Sequence, residues 1–306
     1  MRKAYHSGWA RGAIPLVTLM VLCAIAAFAT PRFLSPLNLG NILLQSAIIG
    51  VIAVGMTFVI VGGGFDLSVG STVALSGCVM ATIMLKYGVA TGVCGGVMAG
   101  ALVGIVNGFF VGILRVNPFI TTLGTMVLVR GLVFLLTGGA PIDDLPSAFL
   151  ALGSGHLLGV HVLVWCLALI VAIVSFIMRA TPYGRWIYAT GGGREAAFLS
   201  GIPVTTVTVS TYVWSGLLSG IAGVMLAARL QSGQPTAGEL YELTAISAVI
   251  LGGASLHGGE GRVWRSIVGV FIIVVLGNGL NLLGVDSYWQ RVAIGVVILI
   301  AAAVSR

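Results

Sequence analysis

The sequence predicts an all-α polytopic membrane protein with about ten transmembrane helices. Of the 306 residues, 58% are hydrophobic and 8% are charged, whereas a soluble domain carries about 25% charged residues. Apolar runs of roughly 20 residues, the length of a membrane-spanning helix, recur along the chain. These runs are continuous, and the strands of a membrane barrel would instead alternate over about 10 residues.

The first apolar run follows Arg2, Lys3 and Arg11, so the start of the chain resembles a secretory signal. We interpret it as a retained first helix, because the remainder of the chain is also apolar. The ten predicted spans are 13–29, 41–61, 67–85, 89–114, 119–137, 158–178, 204–227, 241–256, 265–283 and 289–305.

Basic residues predict the orientation of the chain, because cytoplasmic loops are enriched in Lys and Arg. The segments on the side of the amino terminus hold ten of the 15 Lys and Arg residues, the opposite ends hold four, and Arg130 lies within a span. Both termini are therefore predicted to be cytoplasmic. The net charge of +7 is spread along the loops, so no nucleic-acid surface is predicted.

The segment 179–203, about midway along the chain, is the longest that cannot lie in lipid. It contains several arginines, three successive glycines and a short stretch of helical composition at 195–199. Such a loop suits a cytosolic partner, although composition alone favours a solvated loop whose arginines only fix the topology. The opposite connections are too short to form a domain, so a single transmembrane domain, 1–306, is predicted with the loop 179–203 inside it.

A weak parallel internal repeat is also predicted. The sequence VIVGG at 59–63 resembles VILGG at 249–253, and each is followed by a leucine and further glycines. Parallel repeats of this kind occur in transporter folds.

Arg130 lies in the middle of an apolar run, where an ionisable side chain is costly and often functional. One interpretation is that it faces a water-filled path or pairs with a carboxylate such as Asp66 or Glu242. The alternative is that it lies nearer the interface and extends its side chain to water.

Asp66 follows a glycine-rich break at 62–64 between two predicted spans. A broken helix there exposes backbone groups, which is tolerable only against protein or water. We interpret Asp66 as a cap of the third span that accepts a hydrogen bond from the amide of Ser68 or Val69, in preference to a ligand site.

Uncharged polar side chains outnumber ionisable ones within the spans, which suits a neutral, hydroxylated solute better than a proton-coupled one. For any single residue, a hydrogen bond between helices, worth about 0.6 kcal/mol, is the plainer explanation. The candidates for a solute path are Asn107, Asn117, Thr121, Arg130, Thr244, Asn278 and Asn281.

Catalytic chemistry has no support in the sequence. The four histidines are scattered, the four cysteines all fall within apolar runs, and no Ser/His/Asp grouping or metal-ligand spacing occurs. No G-x-x-x-x-G-K-[ST] loop is present either. We expect no catalytic site, no metal site and no cofactor bound by this chain.

Five segments in the same order carry a family resemblance: GMTFVIVGGGFDLSVGS (55–71), NPFITTLGTMVLVRG (117–131), TPYGRWIYATGGGREAAFLSGI (181–202), YELTAISAVILGGASLHGGEG (241–261) and NGLNLLGVDSYWQRVAIGVVIL (278–299). The chain resembles permease subunits of bacterial ABC importers of the ribose, xylose and related monosaccharide class, over about residues 40 to 305.

The resemblance implies an inner-membrane permease that pairs with a second copy or a paralogue around one central path. It also implies a cytosolic ABC ATPase that holds ATP and Mg, and a periplasmic sugar-binding protein. Together with membrane lipid, these are the expected partners. The chain itself is then not an enzyme, because its partner hydrolyses ATP.

Within this resemblance the loop 179–203 is similar to the coupling loop of importer permeases, through the pattern E-A-A-x-x-x-G. The implied ATPase-coupling residues are Arg185, Gly193, Arg194, Glu195, Ala196, Ala197 and Gly201, and the implied structural motif is Gly63, Gly64, Asp66, Ser68 and Gly70. Gly193, Thr244 and Phe65 depart from the residues common in the family, Asn, Asp and Ile, which leaves the exact sugar open.

The predicted function is the permease subunit of an ATP-driven importer of a monosaccharide, a ribose-like pentose or a hexose. The same architecture carrying a nucleoside, a furanose-type signalling molecule or a branched-chain amino acid is the nearest alternative. A secondary transporter or channel would be expected to show paired intramembrane acids and bases, and a membrane enzyme would need a catalytic grouping.

Overall fold

The structure, a computed structural model, describes residues 2–286, 288–290, 292–293 and 295–296, with side chains from residue 13 onward. Residues Phe109–Ile113 form a π-helical turn, and strands β1 (His156–Leu157) and β2 (Val160–His161) form an antiparallel hairpin. The helices are α1 Arg2–Ala29, α2 Pro36–Val61, α3 Val69–Tyr87, α4 Val89–Gly108, α5 Pro118–Thr137, α6 Ser147–Ser154, α7 Val162–Ala180, α8 Pro182–Gly192, α9 Arg194–Leu199, α10 Val204–Leu230, α11 Tyr241–Leu251 and α12 Val263–Leu282.

Three helices begin with the same local chemistry. The side chains of Ser35, Asn117 and Thr181 accept hydrogen bonds from amides in the first turns of α2, α5 and α8. A proline follows each of them at the start of the helix, where its missing N–H costs no intrahelical bond. A capping residue followed by proline therefore sets where these helices begin.

The prediction of an all-α polytopic membrane protein is confirmed. Each of the first nine predicted spans falls on a helix, and the tenth, 289–305, lies mostly outside the described residues. Among the described residues, seven helical segments are long and apolar enough to cross a membrane: Pro36–Val61, Val69–Tyr87, Val89–Ile113, Pro118–Thr137, Val162–Ala180, Val204–Leu230 and Val263–Leu282.

The prediction of a full span at 241–256 is wrong. Helix α11 has 11 residues, about 16 Å at 1.5 Å per residue, against a hydrocarbon core of about 30 Å. Leu240, with a left-handed backbone at φ 64°, precedes it, and Gly253 at φ 83° follows it. Composition missed the break because small and apolar residues continue beyond the last helical turn.

Helix α2 forms the centre of the molecule. Nearly all of its side chains from Ile42 to Val61 are buried, and it packs against α7, α10, α11 and α12. A helix that is apolar on every side is stable only when other helices surround it. The buried core therefore follows α2, while α5 and α7 bury one narrow face each.

Glycines allow α4 and α10 to approach closely. Glycine recurs every fourth residue on α4, so that these positions share one face of the helix. A methyl group added at Gly100 would lie 2.6 Å from the Cα of Gly220, and one at Gly108 would lie 2.8 Å from the carbonyl oxygen of Val209. Larger side chains on this face would separate the two helices.

The internal repeat has a matching backbone geometry. The amides of Gly62, Gly63 and Gly64 donate to the carbonyls of residues 58, 60 and 59. The amides of Gly252, Gly253 and Ala254 donate to residues 248, 250 and 249, the same pattern 190 positions later. Gly63 and Gly253 also share a positive φ, 85° and 83°. Both α2 and α11 thus end in the same glycine-dependent turn.

Candidate functional site: the coupling helices and the breaks they contact

Helices α8 and α9 connect the end of the span α7 to the start of the span α10. Gly193, with φ 178° and ψ 95°, separates the two helices. The hydroxyl of Tyr183 lies 2.7 Å from the hydroxyl of Ser210 on α10, and the hydroxyl of Tyr188 donates to the carbonyl of Gly261 at 2.8 Å. These two hydrogen bonds join α8 to α10 and to the loop before α12.

The pattern E-A-A-x-x-x-G has a physical basis in α9. Ala197 is 3% exposed and packs inward, so a small side chain is required. Gly201, at φ 79°, ends the helix in a left-handed conformation that glycine adopts without steric cost. The amide of Ile202 donates to the carbonyl of Ala197 and that of Gly201 to Phe198, which completes the turn.

Helix α9 presents two large apolar side chains outward. Phe198 is 70% exposed and Leu199 is 79% exposed, and Glu195 and Ala196 are exposed as well. Phe198 and Leu199 lie in a connection between two spans. Lipid therefore does not cover them, as it would cover such side chains within a span. The exposed side of α9 is therefore an apolar knob next to a carboxylate.

The last turn of α8 contacts the breaks after both α2 and α11. The amide of Gly259 donates to the carbonyl of Val61 at 2.9 Å. A methyl group added at Gly191 would overlap that carbonyl oxygen and lie 2.7 Å from the nitrogen of Gly259. One added at Gly258 would lie 2.9 Å from the Cα of Gly63. We call Gly63, Gly191, Gly258 and Gly259 the glycine junction.

A buried polar network lies beside the first break. One carboxylate oxygen of Asp66 accepts from the amide of Ser68 at 3.0 Å and from its hydroxyl at 2.6 Å. The other accepts from the hydroxyl of Ser215 on α10 at 2.7 Å. The side-chain amide of Asn107 on α4 donates to the Ser68 hydroxyl at 2.8 Å. The predicted bond to the Ser68 amide is thus present, and Asp66 also ties three helices together.

Gly64 and Gly70 of the implied structural motif lie where other groups come too close to leave room for a side chain. A methyl group at Gly64 would lie 2.5 Å from the hydroxyl of Tyr212, which donates to the carbonyl of Phe65. One at Gly70 would overlap the carbonyl of Gly238 and the carboxylate of Glu242. The start of α3 therefore packs directly against the start of α11.

Arg130 holds the segment 231–240 that leads into α11. Its guanidinium donates to the carbonyls of Pro235 and Ala237 at 2.7 and 2.9 Å. The proposed pairing with Asp66 is wrong, because the guanidinium donates to these two carbonyls and Asp66 is not among the charges that act on it. The carboxylates of Glu239 and Glu242 act on Arg130 through their charges. The half-buried guanidinium fixes a backbone loop, which composition did not reveal.

A family model described as "Branched-chain amino acid transport system / permease component" matches residues 38–302. Ribose import permease protein RbsC of Bacillus subtilis (strain 168) is 49% identical over 296 residues, covering 95% of this chain and 92% of that protein. RbsC of Escherichia coli (strain K12) is 42% identical over 310 residues, covering 100% and 97%. The chain belongs to this permease family.

Another relative is the L-arabinose transport system permease protein AraH of Escherichia coli (strain K12), 39% identical over 292 residues, covering 95% of this chain and 89% of that protein. The comparison with solved structures found no match. The family membership that the five sequence segments predicted is confirmed.

The other residues predicted to line a solute path in this permease do not meet in one place. Asn117 caps α5, and its side chain accepts from the amides of residues 119 and 120. Asn278 and Asn38 exchange hydrogen bonds of 2.8 and 3.0 Å, which joins α12 to the start of α2. Asn281 is exposed, one turn away.

The two threonines predicted to line a solute path differ in their hydrogen bonding. The hydroxyl of Thr244 donates to the carbonyl of Leu240 in its own helix. That of Thr121 is buried without a hydrogen-bond partner among the described residues. The interhelical alternative therefore accounts for Asn278, and an intrahelical bond accounts for Thr244.

Sequence reasoning missed the residues that join the breaks to the remainder of the permease. In the sequence, Gly191 is one of three successive loop glycines and Ser215 is one of many polar residues on the spans, so no pattern indicates their contacts. The signal for Gly258 and Gly259 was the second repeat, where glycines follow the break as they do after residue 63.

Proposed function

We propose that this permease is the membrane-spanning subunit of an ATP-driven importer of a monosaccharide, most directly a pentose such as ribose. The names of the curated relatives support a sugar, because they state ribose import and L-arabinose transport. The family description names branched-chain amino acids instead. The relatives decide for sugar, because they are 39% to 49% identical over nearly the whole chain.

The observation that carries the coupling part of the proposal is the position of α8 and α9. Helix α9 exposes Phe198 and Leu199, and α8 ends against the breaks after α2 and α11. An ATPase that binds the apolar knob of α9 would push α8 as a rigid element. The breaks would then move relative to each other, because Gly191 packs against both.

The roles of the individual coupling residues follow from this geometry. Arg194 and Glu195 begin α9, where they orient the ATPase through exposed ion pairs of small individual energy. Ala196 and Ala197 keep the helix narrow, Gly201 ends it, and Gly193 sets the angle to α8. Arg185, in the first turn of α8, lies farther from the knob.

The partners of this chain are proposed to be a cytosolic ATPase that holds ATP and Mg, a sugar-binding protein on the opposite side, and a second permease. A second copy or paralogue is supported by α5, which buries only one narrow face. On that helix, methyl groups built at Gly124 and Gly131 meet only open space. The solute path would run along this uncovered side, with Thr121 and the segment held by Arg130 beside it.

The orientation in this proposal places both termini, α8 and α9 in the cytoplasm. The distribution of basic residues supports it, because Arg179, Arg185 and Arg194 all lie in or next to the connection 179–203.

The test is affinity purification of the chain from its native membrane, followed by mass spectrometry and by uptake of radiolabelled ribose into membrane vesicles. We expect recovery of an ATPase with a nucleotide-binding loop and of a sugar-binding protein, and uptake that stops when ATP is depleted. Uptake that continues without ATP, by a chain purified alone, would instead establish a secondary transporter.

A further inference from the structure

A cleft of about 410 Å³ lies between the end of α7, the first turns of α8 and the start of α12. Arginines of three separate elements line it, and no acidic residue is among its lining residues. Glu260, the acidic residue nearest along the chain, directly precedes Gly261 and is not among the residues that line the cleft. Its lining includes Ser175, Arg179, Arg185, Tyr188, Arg262 and Trp264.

Two further observations favour an anionic ligand in this basic cleft. Burial raises the pKa of the Tyr188 hydroxyl, and the charges of Arg262 and Arg265 lower it, so both guanidiniums act on the cleft floor. Arg262 is also the residue before α12 and supplies no side-chain cap. The amino-terminal end of that helix therefore borders the cleft and adds to its preference for anions.

The basic cleft lies at the level where spans leave the membrane. Arg179 is in the last turn of the span α7, and Trp264 is in the first turn of the span α12. Trp264 is 40% exposed, and tryptophan is enriched at the boundary between lipid and water. Apolar Met178 and Val263 line the cleft beside the arginines. The cleft thus places charged side chains beside apolar ones. This arrangement matches a phospholipid, in which a charged headgroup adjoins acyl chains.

We propose that the basic cleft binds the phosphate headgroup of an anionic phospholipid. The arginines provide planar forks of N–H donors that match phosphate oxygens, and the hydroxyl of Ser175 adds a further polar group. The acyl chains would then follow the exposed apolar sides of α7 and α12 into the bilayer. This lipid would contact Arg185 on α8, so it would steady the coupling helix from the membrane side, whatever solute the permease carries.

The test compares the triple variant Arg179→Gln/Arg185→Gln/Arg262→Gln with the control Arg32→Gln/Lys86→Gln/Arg115→Gln, which loses the same charge elsewhere. Both are reconstituted into nanodiscs of phosphatidylcholine with added phosphatidylglycerol, and native mass spectrometry counts the phosphatidylglycerol retained. We expect retention at least about tenfold weaker in the cleft variant and unchanged in the control. The thermal midpoint in pure phosphatidylcholine should stay at the wild-type value for both.

Equal retention of phosphatidylglycerol by the two variants would overturn the proposal. So would a stabilisation of the wild type by inorganic phosphate that matches the one by phosphatidylglycerol, since the ligand would then be a soluble anion. Loss of ATPase binding by the cleft variant, with lipid retention intact, would assign the arginines to the ATPase instead. If the triple variant does not insert, Arg179→Gln and Arg262→Gln are compared singly with Arg32→Gln by the same count.

Discussion

The amide of Gly259 donates a hydrogen bond of 2.9 Å to the carbonyl of Val61, so the break after α11 is bonded to the end of α2. Gly191 of the coupling helix packs against the same carbonyl oxygen. The two halves of the internal repeat and the coupling helix therefore share one point of contact. A displacement of α8 has to move that point, because no side chain intervenes.

The substitution Gly191→Ala tests the glycine junction. Its methyl group would overlap the carbonyl of Val61, and overpacking of this kind costs about 1 to 3 kcal/mol. We expect uptake to fall at least about tenfold. Gly192→Ala is the matched control, because a methyl there would lie 3.9 Å from the nearest atom, the Cα of Gly259. Wild-type uptake by both variants would show that the junction tolerates displacement and transmits nothing.

The substitution Asp66→Asn tests the buried network. An amide donor would replace one of the oxygens that accept from Ser68 and Ser215. A buried group without its partner costs about 1 to 3 kcal/mol, so thermal unfolding in detergent should occur at a clearly lower temperature. Asp143→Asn, on an exposed loop residue, should leave it unchanged. An equal midpoint for Asp66→Asn and wild type would mean that the network does not stabilise the fold.

The substitution Arg130→Gln tests the role of the half-buried guanidinium. It removes the donors to the carbonyls of Pro235 and Ala237, so the segment 231–240 should open more often. We expect amide hydrogen exchange in that segment to increase at least about tenfold, with an intermediate effect for Arg130→Lys. Arg32→Gln, on an exposed turn, serves as the control. Unaltered exchange in 231–240 would exclude a holding role for Arg130.

His161 predicts a pH dependence of stability. Burial, then the nearby His156 and Arg229, lower its pKa below the ordinary value of 6.5. The folded hairpin therefore disfavours the proton that the unfolded chain accepts. Its stabilising contribution is complete above about pH 6.5 and is lost as the pH falls through that value and below. The thermal midpoint should drop between about pH 7.5 and about pH 5.5, less so in His161→Gln, while His257→Gln should retain the full drop. An identical drop in His161→Gln and wild type would exclude this histidine as the source.

Much of the fold could be predicted from the sequence, because span length and apolar composition are local properties. The nine helical regions and the short helix predicted at 195–199 follow from such local rules. The short α11 did not, since its ending depends on the backbone of Leu240 and Gly253. The distant partners of Arg130 and Asp66 were also missed, because they lie more than 100 residues away in the chain, at Pro235 and Ser215. A polar residue on a span looks the same in the sequence whether it binds the solute or another helix. The sequence alone therefore did not distinguish the interhelical bond of Asn278 from a contact with the solute.

The most direct test of the coupling account is the recovery of the ATPase with the variant Phe198→Ser/Leu199→Ser. The control is Leu158→Ser, since Leu158 is 85% exposed in the hairpin turn. We expect the variant to fold and insert normally, yet to recover at least about tenfold less ATPase, with an equal loss of ATP-dependent ribose uptake. The control should behave as wild type. Full ATPase recovery and full uptake with both apolar side chains removed would contradict the claim that α9 couples this permease to ATP hydrolysis.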